Sequence, residues 1–277
     1  MRHGITMFAT DLSVSPVELA REVEARGFDS LYFPEHTHIP TSRKTPPPTG
    51  DAELAEEYKR TLDPFVALAQ AAAVTSRIEL GTGVCLVAQR EPIVTAKQVA
   101  TLDHVSNGRV VLGVGFGWNQ DEAENHGLVF AERRDVARET VLAMKSLWTH
   151  DVGSYDGAHV KIAPSFSWPK PRRQVPIVLG GNAGPKLFAH LAEWADGWIP
   201  IGGAGLAKAL PELARAMEER GRDPKSLRIV PFGALPDEGK LAYYEQIGVT
   251  ETVFRVPTAG RDEVFSVLDK WARLIGK

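Results

Sequence analysis

The sequence predicts an α/β protein of the (β/α)8 TIM barrel class, and three observations carry that expectation. Eight strand-like apolar runs alternate with amphipathic helical runs along the 277 residues. The strand-like runs are continuously apolar, which means that both faces of each strand are covered. Eight such units joined by right-handed crossovers suit this length better as a closed barrel than as an open doubly wound sheet. No shift in composition and no internal repeat divides the chain, so residues 1–277 are read as one barrel domain.

The first strand is read at 3–8, followed by a helix at 16–27 with proline in its first turn and Gly27 at its end. The second strand, 28–33, opens into a polar, proline-rich loop over 34–61. A helix at 62–75 leads to the third strand, "RIELGTGV" (77–84), and a helix at 92–106 leads to the fourth, 109–115. A helical stretch at 133–148 and an irregular segment at 153–174 precede the fifth strand, 175–181. The helix 183–195 and strand 196–201, the helix 205–220 and strand 227–233, and the helix 237–248 and strand 251–257 complete the alternation. A helix at 261–275 closes the chain. The stretches 34–61 and 153–174 are insertions after the second and fourth strands, where they would line the barrel entrance.

A formal charge of −3 gives no electrostatic footprint for nucleic acid or an anionic membrane. No apolar stretch reaches spanning length. Cys85, the single cysteine, cannot form an internal disulfide, which fits a reducing interior. The expectation is a soluble cytoplasmic protein acting on a small molecule.

In such a barrel the functional face lies at the carboxyl ends of the strands. "PEHTH" (34–38) follows the second strand, so Glu35 and His36 belong to the mouth. They read either as a pair that merely fixes the loop or as a proton donor, His36, oriented by the adjoining carboxylate. His36 and His38 alone are too few to hold a metal, and none is expected. "GVGFGWNQDE" (113–122) follows the fourth strand, where Gly115 and Gly117 can turn backbone N–H groups toward an anion; a tight turn would explain them equally well. "LGGNAGPKL" (179–187) repeats the arrangement after the fifth strand with Gly180, Gly181 and Asn182. Two such turns in adjacent units point to a phosphate-bearing ligand held between them. The third strand raises its own question, because Gly81 and Gly83 sit where a strand interior would normally exclude glycine.

"PEHTH", "LGTGV…REP", "TLDHVSNGRVVLGVGFGWNQDE", "WPKPRRQVPIVLGGN" and "LAEWADGWIP", in this order, resemble the luciferase-like monooxygenase superfamily. Within it the chain is similar to the coenzyme F420-dependent oxidoreductases of actinobacteria. The resemblance implies a non-proline cis peptide at Gly83–Val84, forming a bulge that supports the middle ring of a flavin or deazaflavin. Gly83 would then leave room for a flat ring, although a glycine bulge can also serve only to close a barrel. It further implies that Gly115, Gly117, Trp118 and Asn119 surround one side of the cofactor phosphate, and Gly180, Gly181 and Asn182 the other. His36 matches the family's active-site histidine, with Glu35 beside it. Sugar-phosphate dehydrogenases of the family carry a glutamate where this chain has Trp118. Glucose 6-phosphate is therefore not the expected substrate, and Glu122 is the substitute candidate for the missing acid. The implied activity is hydride transfer between C5 of F420 and a small organic substrate, with Lys170, Arg172 and Arg173 able to meet the acidic cofactor tail. The alternatives are an FMN-dependent monooxygenase using molecular oxygen and a carrier that binds the cofactor without turnover. The family also implies a homodimer.

Overall fold

Helix starts in this chain are written by proline and by oxygen-bearing caps. The Ser15 side chain accepts from the Glu18 N–H, Asp63 from the Val66 N–H at 3.0 Å, and Glu91 from the Val94 N–H at 2.5 Å, each just before a proline. The computed structural model describes residues 1–42, 44–46 and 53–276; the rest of the expected 34–61 loop lies outside the described residues. In chain order the elements begin with β1 (Arg2–Thr6), α1 (Pro16–Ala25), β2 (Ser30–Phe33), α2 (Glu56–Lys59), α3 (Pro64–Val74) and β3 (Glu79–Thr82). Next come α4 (Pro92–Val105), β4 (Val110–Val114), α5 (Gln120–Asn125), α6 (Arg133–Thr149), β5 (Val152–Asp156) and β6 (Lys161–Phe166). The chain then runs through β7 (Ile177–Gly180), α7 (Pro185–Trp194), β8 (Gly197–Ile199), α8 (Leu206–Glu218), β9 (Arg228–Ile229), α9 (Glu238–Gln246), β10 (Glu251–Arg255) and α10 (Arg261–Leu274).

Eight parallel strands form the barrel in the order β10-β1-β2-β3-β4-β7-β8-β9. Closure between its ends comes from the Phe232–Val253 bridge and from Val253 N–H donating to the Pro231 carbonyl at 3.0 Å. The fold is the (β/α)8 TIM barrel that the alternation predicts. Apolar side chains fill the space between strands and helices. A second cluster, including Tyr32, Val111, Ile199, Phe232 and Val253, plugs the interior, with Val84 packed against it. The glycines of the third strand make room for this plug. A Cβ on Gly81 would strike the Tyr32 ring, and one on Gly83 would lie 2.5 Å from the Phe232 ring. The room Gly83 leaves is thus taken by a side chain of the plug and not left for a ligand.

The 153–174 segment departs from expectation. It carries an antiparallel hairpin, β5 with β6, whose turn is tied to α6. The Glu139 carboxylate accepts from the Ala158, His159 and Val160 N–H groups at 3.0, 2.7 and 2.9 Å. The insertion follows α6 and flanks that helix, so it does not line the entrance. The basic run behind it is held at the opposite end of the barrel. Arg172 donates to the His104 carbonyl at 2.9 Å, Arg173 to Glu79 at 3.0 Å, and Lys170 to the Leu147 and His150 carbonyls. These three cations are structural clamps and do not reach toward the strand ends where a cofactor tail would lie.

Candidate active site

At the carboxyl end of β3 the strand is interrupted and then resumes. Gly83 N–H donates to the Phe33 carbonyl at 2.8 Å, Cys85 N–H to Gly113 at 2.7 Å, and Gly115 N–H to Cys85 at 2.9 Å. Between the first two bonds the Gly83–Val84 peptide is cis. The interruption turns the Val84 side chain toward the neighbouring strand ends. A Cβ on Gly115 would collide with Val84, and one on Gly180 would meet it at 3.0 Å. The two glycine turns therefore admit the Val84 side chain, which caps the interior plug and forms a floor. Gly117 has a φ of +76°, a left-handed conformation that glycine adopts freely. Beside it the Gln89 side chain would come within 3.2 Å of a Cβ.

Glu35 and His36 diverge. Consecutive residues of an extended segment project to opposite sides, and here they meet different partners. The Glu35 carboxylate accepts from the Leu86 N–H at 2.7 Å and from Arg90 Nε at 2.6 Å. Burial lowers the Arg90 pKa, but the charge and hydrogen bond of Glu35, with Cys85 and Asp63, together outweigh it and hold the guanidinium well above its ordinary value. Burial, reinforced by the charge on Glu35, pushes the Cys85 thiol up, so that residue stays protonated. His36 instead donates through Nδ1 to the Glu122 carboxylate at 2.8 Å. Glu122 is completely buried on α5, where the Asn119 side chain accepts from its N–H. The carboxylate that orients the histidine is Glu122, not the adjoining Glu35. His38 turns to the surface, 3.0 Å from the Thr37 hydroxyl and 3.1 Å from the Asn125 amide, so it does not pair with His36.

Trp118 also stands apart from its expected company. Its ring lies 5.9 Å from His36 and 6.2 Å from Tyr58, on the histidine side of the mouth. Phe116, two residues earlier, turns the other way, with the Arg134 guanidinium 4.3 Å above its ring and His190 at 5.4 Å. Arg133 and Arg134 open α6 and meet no carboxylate among the described residues. Burial lowers both pKa values, and Arg133 lowers that of Arg134 further. Across from them the turn after β7 is fixed by Trp198 Nε1 donating to the Gly181 carbonyl at 2.9 Å, while Asn182 is exposed. The α7 helix that follows has no side-chain cap. Sequence reading passed over Arg133, Arg134 and Gln89.

A polar ligand fits this end of the barrel on one observation. Six buried side-chain polar atoms among the described residues lack a hydrogen-bond partner: both amide atoms of Gln89, Asn119 Nδ2, Glu122 Oε1, Arg133 Nε and Arg134 Nη1. All lie on the segments that follow β3 and β4. Buried polar groups are nearly always partnered, so this concentration marks a place built for a polar ligand. Two hollows, of about 550 Å³ and 310 Å³, lie elsewhere, against α7 and α8 and beside Trp148 and Arg173. No group of three or more metal-ligating side chains occurs among the described residues, and no described helix is long and apolar enough to cross a membrane.

The chain belongs to the luciferase-like monooxygenase family, whose model matches residues 15–235. It is 42% identical over 276 residues to an uncharacterized protein of Mycobacterium tuberculosis, covering 98% of each chain. It is 29% identical over 217 residues to the F420-dependent glucose-6-phosphate dehydrogenase of Kineococcus radiotolerans, covering 74% of this chain and 58% of that one. Among solved structures it resembles an F420-dependent secondary alcohol dehydrogenase in complex with an F420-acetone adduct. That match has a TM-score of 0.79 at 18% identity, over 100% of this chain and 99% of the other.

Proposed function

We propose that this protein is an oxidoreductase that binds coenzyme F420 at the carboxyl ends of β3, β4 and β7 and acts on a small organic substrate. The observation that carries the reading is the set of unpartnered buried polar atoms on Gln89, Asn119, Glu122, Arg133 and Arg134, all on the segments that follow β3 and β4. The named activity of the Kineococcus relative supports F420 as the cofactor. When bound, the deazaflavin supplies the carbon that donates or accepts a hydride. The chain's own residues do the rest. Val84 and the cis peptide form the floor under the ring, and Gly83 and the plug behind it keep that floor rigid. Arg133 and Arg134 neutralise the phosphate, assisted by Gly115, Gly117 and the Gly180–Asn182 turn. Glu122 fixes the His36 tautomer through Nδ1 and leaves Nε2 to exchange a proton with the substrate oxygen.

Titration of the purified protein with F420 and FMN side by side tests this. Saturable binding of F420 in preference to FMN is expected, and His36→Ala should keep that binding while losing about a hundredfold or more in turnover. Preferential binding of FMN would move the protein to the oxygen-using side of its family. Full activity in His36→Ala would remove the histidine from the reaction.

A further inference from the structure

The two sides of the mouth differ in chemistry. On the β4–β7 side Arg133 and Arg134 meet no carboxylate among the described residues. On the β2 side four rings touch in series: Phe8 to Tyr58 at 4.7 Å, Tyr58 to His36 at 5.3 Å, and Trp118 closing on both. Tyr58 and His36 are buried. The described cations flanking this wall are each already met by acids. Arg60 pairs with Asp11 at 2.8 Å and Glu56 at 3.0 Å, Arg90 with Glu35 and Asp63, and Lys44 with Glu124 at 2.6 Å. Arg255 pairs with Glu57 and lies over the Phe8 ring. Among the described residues these acids and cations consume one another, so an anionic ligand would find no free cation at this wall, and the one carboxylate oxygen left open there, Glu122 Oε1, is completely buried. Leu12, on the loop after β1, extends the apolar character to the rim with 65% of its surface exposed.

Resting on the oxidoreductase reading above, we propose that the substrate is an uncharged molecule with a flat apolar body, seated against Tyr58 and Trp118 with its oxygen at His36. Aromatic walls at these spacings accept a flat ring by stacking or edge contact. A fixed charge at the same place would lose its hydration without gaining a partner. Trp118 meets His36 at 70° and Tyr58 at 83°, so the rings spend edges and faces on one another. The anionic part of the ligand set thus belongs to the cofactor and the neutral part to the substrate.

Three ligands of one shape separate the possibilities: 4-methylacetophenone, 4-acetylbenzoate and 4-acetylphenyltrimethylammonium. Their binding is followed by calorimetry, with the protein alone and with F420 present. The neutral ketone should bind about tenfold or more tighter than either charged analogue, a difference of at least ~1.4 kcal/mol. Trp118→Gln should abolish that selectivity, and Trp118→Phe, which keeps a ring, should restore most of it. Equal or tighter binding of the carboxylate or the cation overturns the proposal. So does failure of all three while F420 binds, which leaves the cofactor reading intact. Selective binding of the neutral ketone with no binding of F420 would instead sink the cofactor reading and keep the apolar wall.

Discussion

Neighbouring residues in sequence can have opposite jobs, and Glu35 and His36 separate a structural carboxylate from a positioning one. Glu35 is buried against Arg90, with side-chain exposures of 1% and 13%. Removing one partner of a buried ion pair strands the other charge. Glu35→Gln should therefore lower stability by about 3–5 kcal/mol, read from the shift of the denaturant midpoint. Glu122→Gln keeps the shape but loses the charge beside His36. It should cut turnover by roughly a hundredfold with the F420 dissociation constant nearly unchanged, and full turnover would remove Glu122 from the mechanism. The sequence made the wrong assignment natural. Adjacency favoured Glu35, whereas "NQDE" reads as an N-cap with an acid three residues on, a common helix-start pattern. In the structure Asn119 does cap, but the acid leaves the helix end to hold a histidine 86 positions earlier in the chain. A single sequence carries no sign of that distance, although the missing family glutamate had already singled out Glu122.

Elements announce function where they break a local rule. A helix N-terminus carries partial positive charge, so cations are disfavoured there. The α6 helix nevertheless opens with Arg133 and Arg134, neither paired with an acid among the described residues. This was legible in "AERRDV", as a pair of like charges at the wrong end of a helix. Its meaning follows only once Phe116 and His190 are seen to bring α6 and α7 together. Arg134→Ala should raise the F420 dissociation constant about tenfold or more, the loss of a charge-assisted hydrogen bond. Stability of the protein without cofactor should stay level or rise slightly, because a repelled cation is gone from the helix start. A stability loss with unchanged affinity would make the residue a packing element. The hairpin β5–β6 teaches the converse. Its turn centres on Ala158 and His159, between the Asp156–Lys161 pair and the Gly157 N–H to Val160 carbonyl bond, and neither residue carries the Asn-Gly or Asp-Gly signature that announces a tight hairpin in sequence.

Across the whole molecule, stability and function sit at opposite ends of the barrel. The end away from His36 is sealed by ions. Glu79 accepts from Arg2 at 2.7 Å, Arg228 at 2.7 Å and Arg173 at 3.0 Å, and Arg228 reaches Glu251 at 3.1 Å. These contacts join β1, β3, β9 and β10 across the seam where the barrel closes. Burial pushes the Glu251 carboxyl up, whereas for Glu79 the Arg228 and Arg2 guanidinium groups together outweigh its burial and hold the carboxyl below the ordinary value of 4.5. The alternation of strands and helices made the barrel legible, but not this seal, because its charges lie on four strands far apart in sequence. The signs give a pH dependence. A carboxyl lowered in the folded state contributes stability that is full above its unfolded pKa and fades as pH falls through the folded one. A carboxyl raised by burial acts in reverse, stabilising least once pH has risen past its folded value. Glu79→Gln should therefore lower the denaturant midpoint markedly at pH 7, where Arg2 and Arg173 lose the carboxylate they pair with and Arg228 keeps only Glu251. The difference from the unaltered protein should shrink below pH 4, as the native Glu79 is itself neutralised. A difference between the two proteins that stays constant from pH 7 to pH 3 would show that the seal holds by packing and not by charge.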